Sequence, residues 1–166
     1  MLVRDKINKE PSYICRLVDY KGTSTLAKKD KKILIDDYGS DAIKYFTKAQ
    51  KLYVEAFNNN KKDSKTLQGA VQQVSFENEQ SIIIVNIYAL NLSNKVYPVN
   101  TIVLKKALHI INATALQTQR TVHIPYKLGV YTLTEKSFSN IILPTIISEF
   151  KDSKTKCILS TKILEK

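Results

Sequence analysis

The run Ser81–Leu90, SIIIVNIYAL, limits what this chain can fold into more than any other stretch. Ile82, Ile83, Ile84 and Val85 are consecutive, apolar and β-branched, so a strand here is apolar on both faces of its pleat. Such a strand needs an apolar layer above and below it, which places it inside a sheet covered on each side. The stretch before it, QGAVQQVSFE (Gln68–Glu77), also reads as a strand, and only NEQ separates the two. That spacing predicts a hairpin.

SYICRLVD (Ser12–Asp19) has the aromatic and β-branched content of a further strand. In KKILIDDYGSD (Lys31–Asp41) a short apolar run, Ile33–Ile35, reads as a strand that leads into an acidic turn containing Gly39. From Ser40 the period changes. Ala42, Phe46, Ala49, Tyr53 and Ala56 fall on one helical face, with Ser40 or Asp41 as N-cap. Leu104, Ala107, Leu108, Ile111 and Ala115 mark a second, longer helix. TVHIP (Thr121–Pro125), a coil, the helix SFSNIILPTIISEF (Ser137–Phe150) and the strand KCILSTKIL (Lys156–Leu164) complete the chain. Pro144 either kinks that helix or marks its real start.

The predicted order is β-β-α-β-β-α-β-α-β. Strand–helix–strand steps imply parallel pairing with right-handed crossovers, and the hairpin adds an antiparallel pair. The fold class is α/β: a three-layer αβα arrangement with a mixed, mostly parallel sheet. Residues 1–166 read as a single domain, with no repeat and no dividing linker.

Several function classes are disfavoured at this level. No apolar run approaches the roughly 20 residues a membrane-spanning helix needs. The start, MLVRDKINKEPSY, lacks a signal-peptide core, and Cys15 and Cys157 read as buried thiols, so a cytoplasmic protein without membrane partners is expected. No P-loop, dinucleotide fingerprint, Ser–His–Asp set or metal-ligand spacing is present, and no cofactor is expected. His109 and His123 read as structural. Abundant Ile, Lys and Asn with no Trp point to an AT-rich coding genome, such as that of a low-GC bacterium or its phage.

The net charge of +11 favours contact with polyanions. The basic clusters Lys28–Lys32, Lys61–Lys65 and Lys151–Lys156 are each broken by Asp and read as solvated surface rather than a nucleic-acid groove.

The element order and the stretch TVHIPYKLGVYTLTEKSFSNIILPTIISEF resemble the macro domain, whose pattern in outline is V-H-M-P-R-I-G-x-G-L-x-G-G-x-W followed by a helix. The likeness runs from about Lys32 to the end of the chain. It is nearest the subgroup of ADP-ribose 1''-phosphate phosphatases and single-domain ADP-ribosyl hydrolases. The resemblance implies a cleft at the carboxyl ends of the central strands that binds ADP-ribose or a related nucleotide, with weak hydrolase or phosphatase activity as a further implication.

By position, the resemblance makes Ile35–Asp41 the distal-ribose loop, with Gly39 and Ser40 as ligand-binding residues and Asp36 or Asp37 as a base on water. The alternative for these two acids is a helix cap and a solvent-facing side chain. Lys127, Gly129, Val130 and Tyr131 fall in the diphosphate loop, and Asp19 takes the place of the adenine-reading acid. That loop keeps one glycine where the family pattern has several. The alternative reading is therefore a degenerate macro-like scaffold without catalysis, which binds a protein partner or nucleic acid through its basic surface.

Overall fold

The run that opened the sequence becomes β3, Ile82–Leu90, buried along nearly its whole length. The computed structural model describes residues 10–26, 28–59, 64–77, 79–124 and 135–159. The other strands are β1 (Ser12–Asp19), β2 (Val71–Val74), β4 (Thr121–Ile124) and β5 (Cys157–Leu159), in the sheet order β2-β3-β1-β4-β5. β1 is parallel to β3 and β4, and β4 is parallel to β5. Only β2 is antiparallel, joined to β3 in the expected hairpin.

Helices cover both faces. α1 (Lys28–Tyr38) and α2 (Ala42–Asn59) lie on one, where Leu34, Phe46 and Ala49 pack on Ile14, Ile82 and Ile84. α3 (Thr101–Thr118) and α4 (Leu143–Phe150) lie on the other, where Leu104, Leu108, Ile146 and Phe150 pack on Cys15, Leu17, Val85 and Ile87. Neighbours such as Ile14 and Cys15, or Ile84 and Val85, thus serve opposite layers, as the two-residue period of a strand demands. The result is a three-layer αβα fold with a mixed, mostly parallel sheet.

Two local readings change. Ile33–Ile35 is not a strand but the middle of α1, so the described residues carry five strands and the order begins β-α-α-β. The helix buries a stripe spaced by four: Asp30, Leu34 and, in part, Tyr38. An acid heads that stripe, and this hides the helical period from a hydropathy reading. Its charge acts on Arg16 of β1, itself buried, which gives the acid a reason to be there.

Pro144 marks the start of a helix rather than a kink within one. It sits in the first turn of α4, after a helical turn (Glu135–Ser137) and a π-helical turn (Phe138–Ile142). In a continuous α-helix its ring would meet the carbonyl of Asn140, and the wider turn avoids that contact.

Candidate functional site

Because β1, β3 and β4 are parallel, Asp19, Leu90 and Ile124 end on the same edge of the sheet. The coil after β1 turns toward the α1–α2 layer, whereas that after β3 leads to the opposite layer, where the described chain also resumes at Glu135 after β4. Connections that diverge in this way open a crevice outside the strand ends.

Asp19 fixes the rim of that crevice. It is fully buried; its carboxylate accepts from the backbone N–H of Leu92 at 2.6 Å and from that of Lys21. Its own N–H donates to Ser24 Oγ at 2.8 Å. Tyr53 of α2 donates its hydroxyl to the Asp19 carbonyl at 2.6 Å and accepts from the Ser24 N–H at 3.1 Å. Burial pushes the Tyr53 phenol up, which keeps it a neutral donor. Gly22 completes the turn at φ +84°, and a Cβ there would lie 2.5 Å from the ring of Phe57.

Beneath the rim runs a buried polar chain. Arg16 Nε donates to Asn86 Oδ1 at 2.7 Å, and its guanidinium carbon lies 5.6 Å from the centre of the Tyr53 ring. Asn86 Nδ2 donates to Gln72 Oε1 at 2.8 Å and to the Ala49 carbonyl at 3.0 Å, and Tyr88 donates to the same Gln72 oxygen at 3.0 Å. Burial pulls Arg16 down to about 10, opposed by Tyr53, Asp30 and Tyr88, so the guanidinium stays charged at neutral pH.

The coil after β3 is a clipped loop. A bridge between Leu90 and Val99 and a bond from Asn91 N–H to the Pro98 carbonyl, 2.9 Å, close its neck. At its tip Asn94 Oδ1 accepts from Val96 N–H at 3.1 Å and Tyr97 N–H at 3.0 Å. Val96 is 75% exposed and Tyr97 72%. Tyr97 stands between two grooves. One of about 660 Å³ runs toward the helical turns at Lys136 and Asn140, and one of about 360 Å³ runs toward Tyr20 and the start of α3.

Of the residues expected from sequence, the described ones are dispersed. Asp19 lies at the crevice, with both carboxylate oxygens engaged by the rim. α2 begins near Ile82 and Ile14, at the amino ends of the strands, and reaches Asp19 only at Tyr53. Eleven helical residues separate the two levels, about 16 Å. The turn at Gly39 and Ser40, joining α1 to α2, therefore lies on the edge opposite the crevice. Gly39 terminates α1, its N–H donating to the Ile35 carbonyl at 2.9 Å with φ at +90°. Asp36 is exposed on that helix, and the backbone of Asp37 belongs to its last turn. The distal-ribose loop expected over Ile35–Asp41 is thus the end of a helix and a helix–helix joint.

Lys127, Gly129, Val130 and Tyr131, and the side chain of Asp37, lie outside the described residues. His123 is buried in β4, edge-on to Tyr38 with ring centres 6.3 Å apart. His109 pairs with Glu149 at 3.2 Å on the surface. Among the described residues no group of three or more His, Cys, Asp or Glu could hold a metal ion, and no helix is long and apolar enough to cross a membrane.

Two features went unread in the sequence. The strand-end loop with its required glycine is Asp19–Ser24, signalled by an acid at a strand end and Gly22 three residues on. The exposed pair Val96–Tyr97 sits in a stretch whose Asn and Pro content marks a loop without saying which side chains face out.

No family model matches the chain, and no curated protein sequence does. Solved structures do. A protein from Bacteroides thetaiotaomicron superposes with a TM-score of 0.65 at 14% identity, over 90% of this chain and 88% of that one. A macrodomain protein from Streptomyces coelicolor gives 0.62 at 16% identity, over 92% and 93%. The macrodomain of Thermus aquaticus DarG gives 0.56 at 13% identity, over 95% and 94%. The chain therefore has the macrodomain fold.

Proposed function

We propose that this chain binds ADP-ribose or a related nucleotide in the crevice outside the carboxyl ends of β1, β3 and β4. The observation that supports it most is the position of β1. After each of its neighbours the described chain next packs in the opposite layer, which supports a crevice along each flank of its end. The macrodomain fold of the similar structures supports the same edge.

In this reading the coil after β4 contributes Lys127, Gly129, Val130 and Tyr131 to the diphosphate side, as the family resemblance implies. Asp19 serves as a frame that holds the coils after β1 and β3 in register. The larger groove, with Lys95 and Lys136 on its walls, forms the approach for an anionic ligand. The proposal is one of binding. Hydrolysis or dephosphorylation driven by Asp36 is not part of it, since α1 ends on the far edge.

Titration calorimetry with ADP-ribose, and with AMP as a fragment, tests it. Saturable one-to-one binding of ADP-ribose, weaker for AMP, is expected. No heat at millimolar ADP-ribose overturns it.

A further inference from the structure

We propose that the Tyr97 ridge is a platform for single-stranded nucleic acid, with a base stacked on the Tyr97 ring and the strand passing into the groove on either side. The inference shares the larger groove with the nucleotide-binding proposal but does not need that proposal to hold.

The first support is exposure in a held loop. Val96 and Tyr97 are among the most exposed large apolar side chains described, and Ile102, 80% exposed, borders the smaller groove beside them. They do not sit on a slack segment, since the neck closure and the two bonds to Asn94 fix the loop. On a loop whose backbone is already fixed, only the side-chain rotamer of Tyr97 is left to order when a base stacks on its ring.

The second support is the sign of the charge. Lys95 and Lys136 line the larger groove, and neither groove has a carboxylate among its described lining residues. The chain as a whole carries +11. Both facts favour a phosphate-bearing strand over an acid-avoiding or apolar partner.

The third support is hydrogen-bond polarity. Asn91, Asn94 and Asn100 line the smaller groove, and each spends its side-chain oxygen on the loop itself. Asn91 Oδ1 accepts from Ser93 Oγ at 2.7 Å, Asn94 Oδ1 takes two backbone N–H groups, and Asn100 Oδ1 caps α3 through the N–H groups of Ile102 and Val103. Both lone pairs of Asn94 and Asn100 and one of Asn91 are thus taken, and what these amides mainly have left to offer a ligand is their NH₂ donors. A donor-lined groove suits a ligand rich in acceptors, such as phosphate oxygens and base carbonyls.

The test is fluorescence anisotropy with short labelled oligothymidylate and oligouridylate, at ionic strengths from about 50 to 200 mM. Wild-type binding to either strand is expected, weakening as salt rises. Tyr97→Ala weakens it about tenfold while Tyr97→Phe, which keeps the ring, does not. Lys136→Gln lowers the slope of log affinity against log salt by about 0.7. Tyr97 is mostly exposed, so unchanged thermal unfolding of Tyr97→Ala confirms that the loss is one of contact. Absence of binding at about 50 mM salt overturns the proposal, including the case in which the ridge instead holds a protein. So does Tyr97→Ala binding as tightly as wild type, which would move the contact to other basic surface.

Discussion

The carboxylate of Asp19 and the backbone N–H of Leu92 meet at 2.6 Å, which joins the coils leaving two neighbouring parallel strands. One buried side chain thereby sets the spacing of the crevice rim.

Asp19→Ala removes the acceptor for two backbone donors, those of Lys21 and Leu92. Leaving part-buried donors unpaired costs about 3 kcal/mol in all, and Asp19→Asn, which keeps one acceptor, costs about 1 kcal/mol. Urea unfolding of the three proteins measures the order. Equal midpoints for wild type and Asp19→Ala would show that the rim does not depend on this carboxylate.

Gly22 and Gly39 both have positive φ, yet only Gly22 faces an obstacle. A Cβ at Gly22 meets Phe57 at 2.5 Å, and nothing lies within 4 Å of one at Gly39. Gly39→Ala is expected to cost about 1 kcal/mol from the backbone alone, and Gly22→Ala about 3 kcal/mol. Phe57→Ala in the Gly22→Ala background recovers part of the difference. Identical melting temperatures for the two glycine variants would contradict this.

Arg16 and Asp30 are both buried and interact through their charges. Asp30→Asn removes part of the charge that offsets burial of the guanidinium and is expected to cost about 1–2 kcal/mol, whereas Arg16→Met with Asp30→Leu falls within about 1 kcal/mol of wild type. The double variant separates loss of the pair from loss of packing. A double variant less stable than Asp30→Asn would refute the electrostatic coupling.

The layers were legible in the sequence, and of the described crevice rim Asp19 was. Ile82–Val85 and the stripe at Leu104, Leu108 and Ile111 give their burial through period alone, since apolar area decides it. α1 escaped because its buried stripe begins with an acid whose partner, Arg16, lies on another element and carries no local signature. The same error displaced the candidate loop. Once Ile33–Ile35 is read as a strand, the turn at Gly39 takes the place of a strand-end loop, and the true one at Gly22 goes unclaimed. The ridge at Tyr97 depends on which way two side chains in a ten-residue coil point, which follows from the bonds to Asn94 and not from composition.

Burial pushes the thiol of Cys157 from its ordinary 9.0 up to about 12. Between these values the unfolded chain has released a proton that the folded chain keeps. The neutral thiol's contribution is thus complete below about pH 9 and is lost as pH rises toward 12. Arg16, lowered from its ordinary value to about 10, works with the opposite sign, its burial cost fading as pH rises above 10. The stability difference between wild type and Cys157→Ala is expected to shift in favour of the variant above pH 9. A difference that stays constant from about pH 8 to 11 would exclude a half-buried thiol held neutral by the fold.

Asp36→Asn is expected to leave ADP-ribose affinity within twofold of wild type, about 0.4 kcal/mol, because the end of α1 lies across the sheet from the crevice. Calorimetry on the variant decides it. A tenfold loss would bring the acid back to the ligand.

The open joint at Gly39 has a practical use. It closes one helix, begins another and has vacant space where a side chain would project. A tether or an inserted reporter placed there would hold the molecule by its base, with the groove-bearing rim turned outward to the medium.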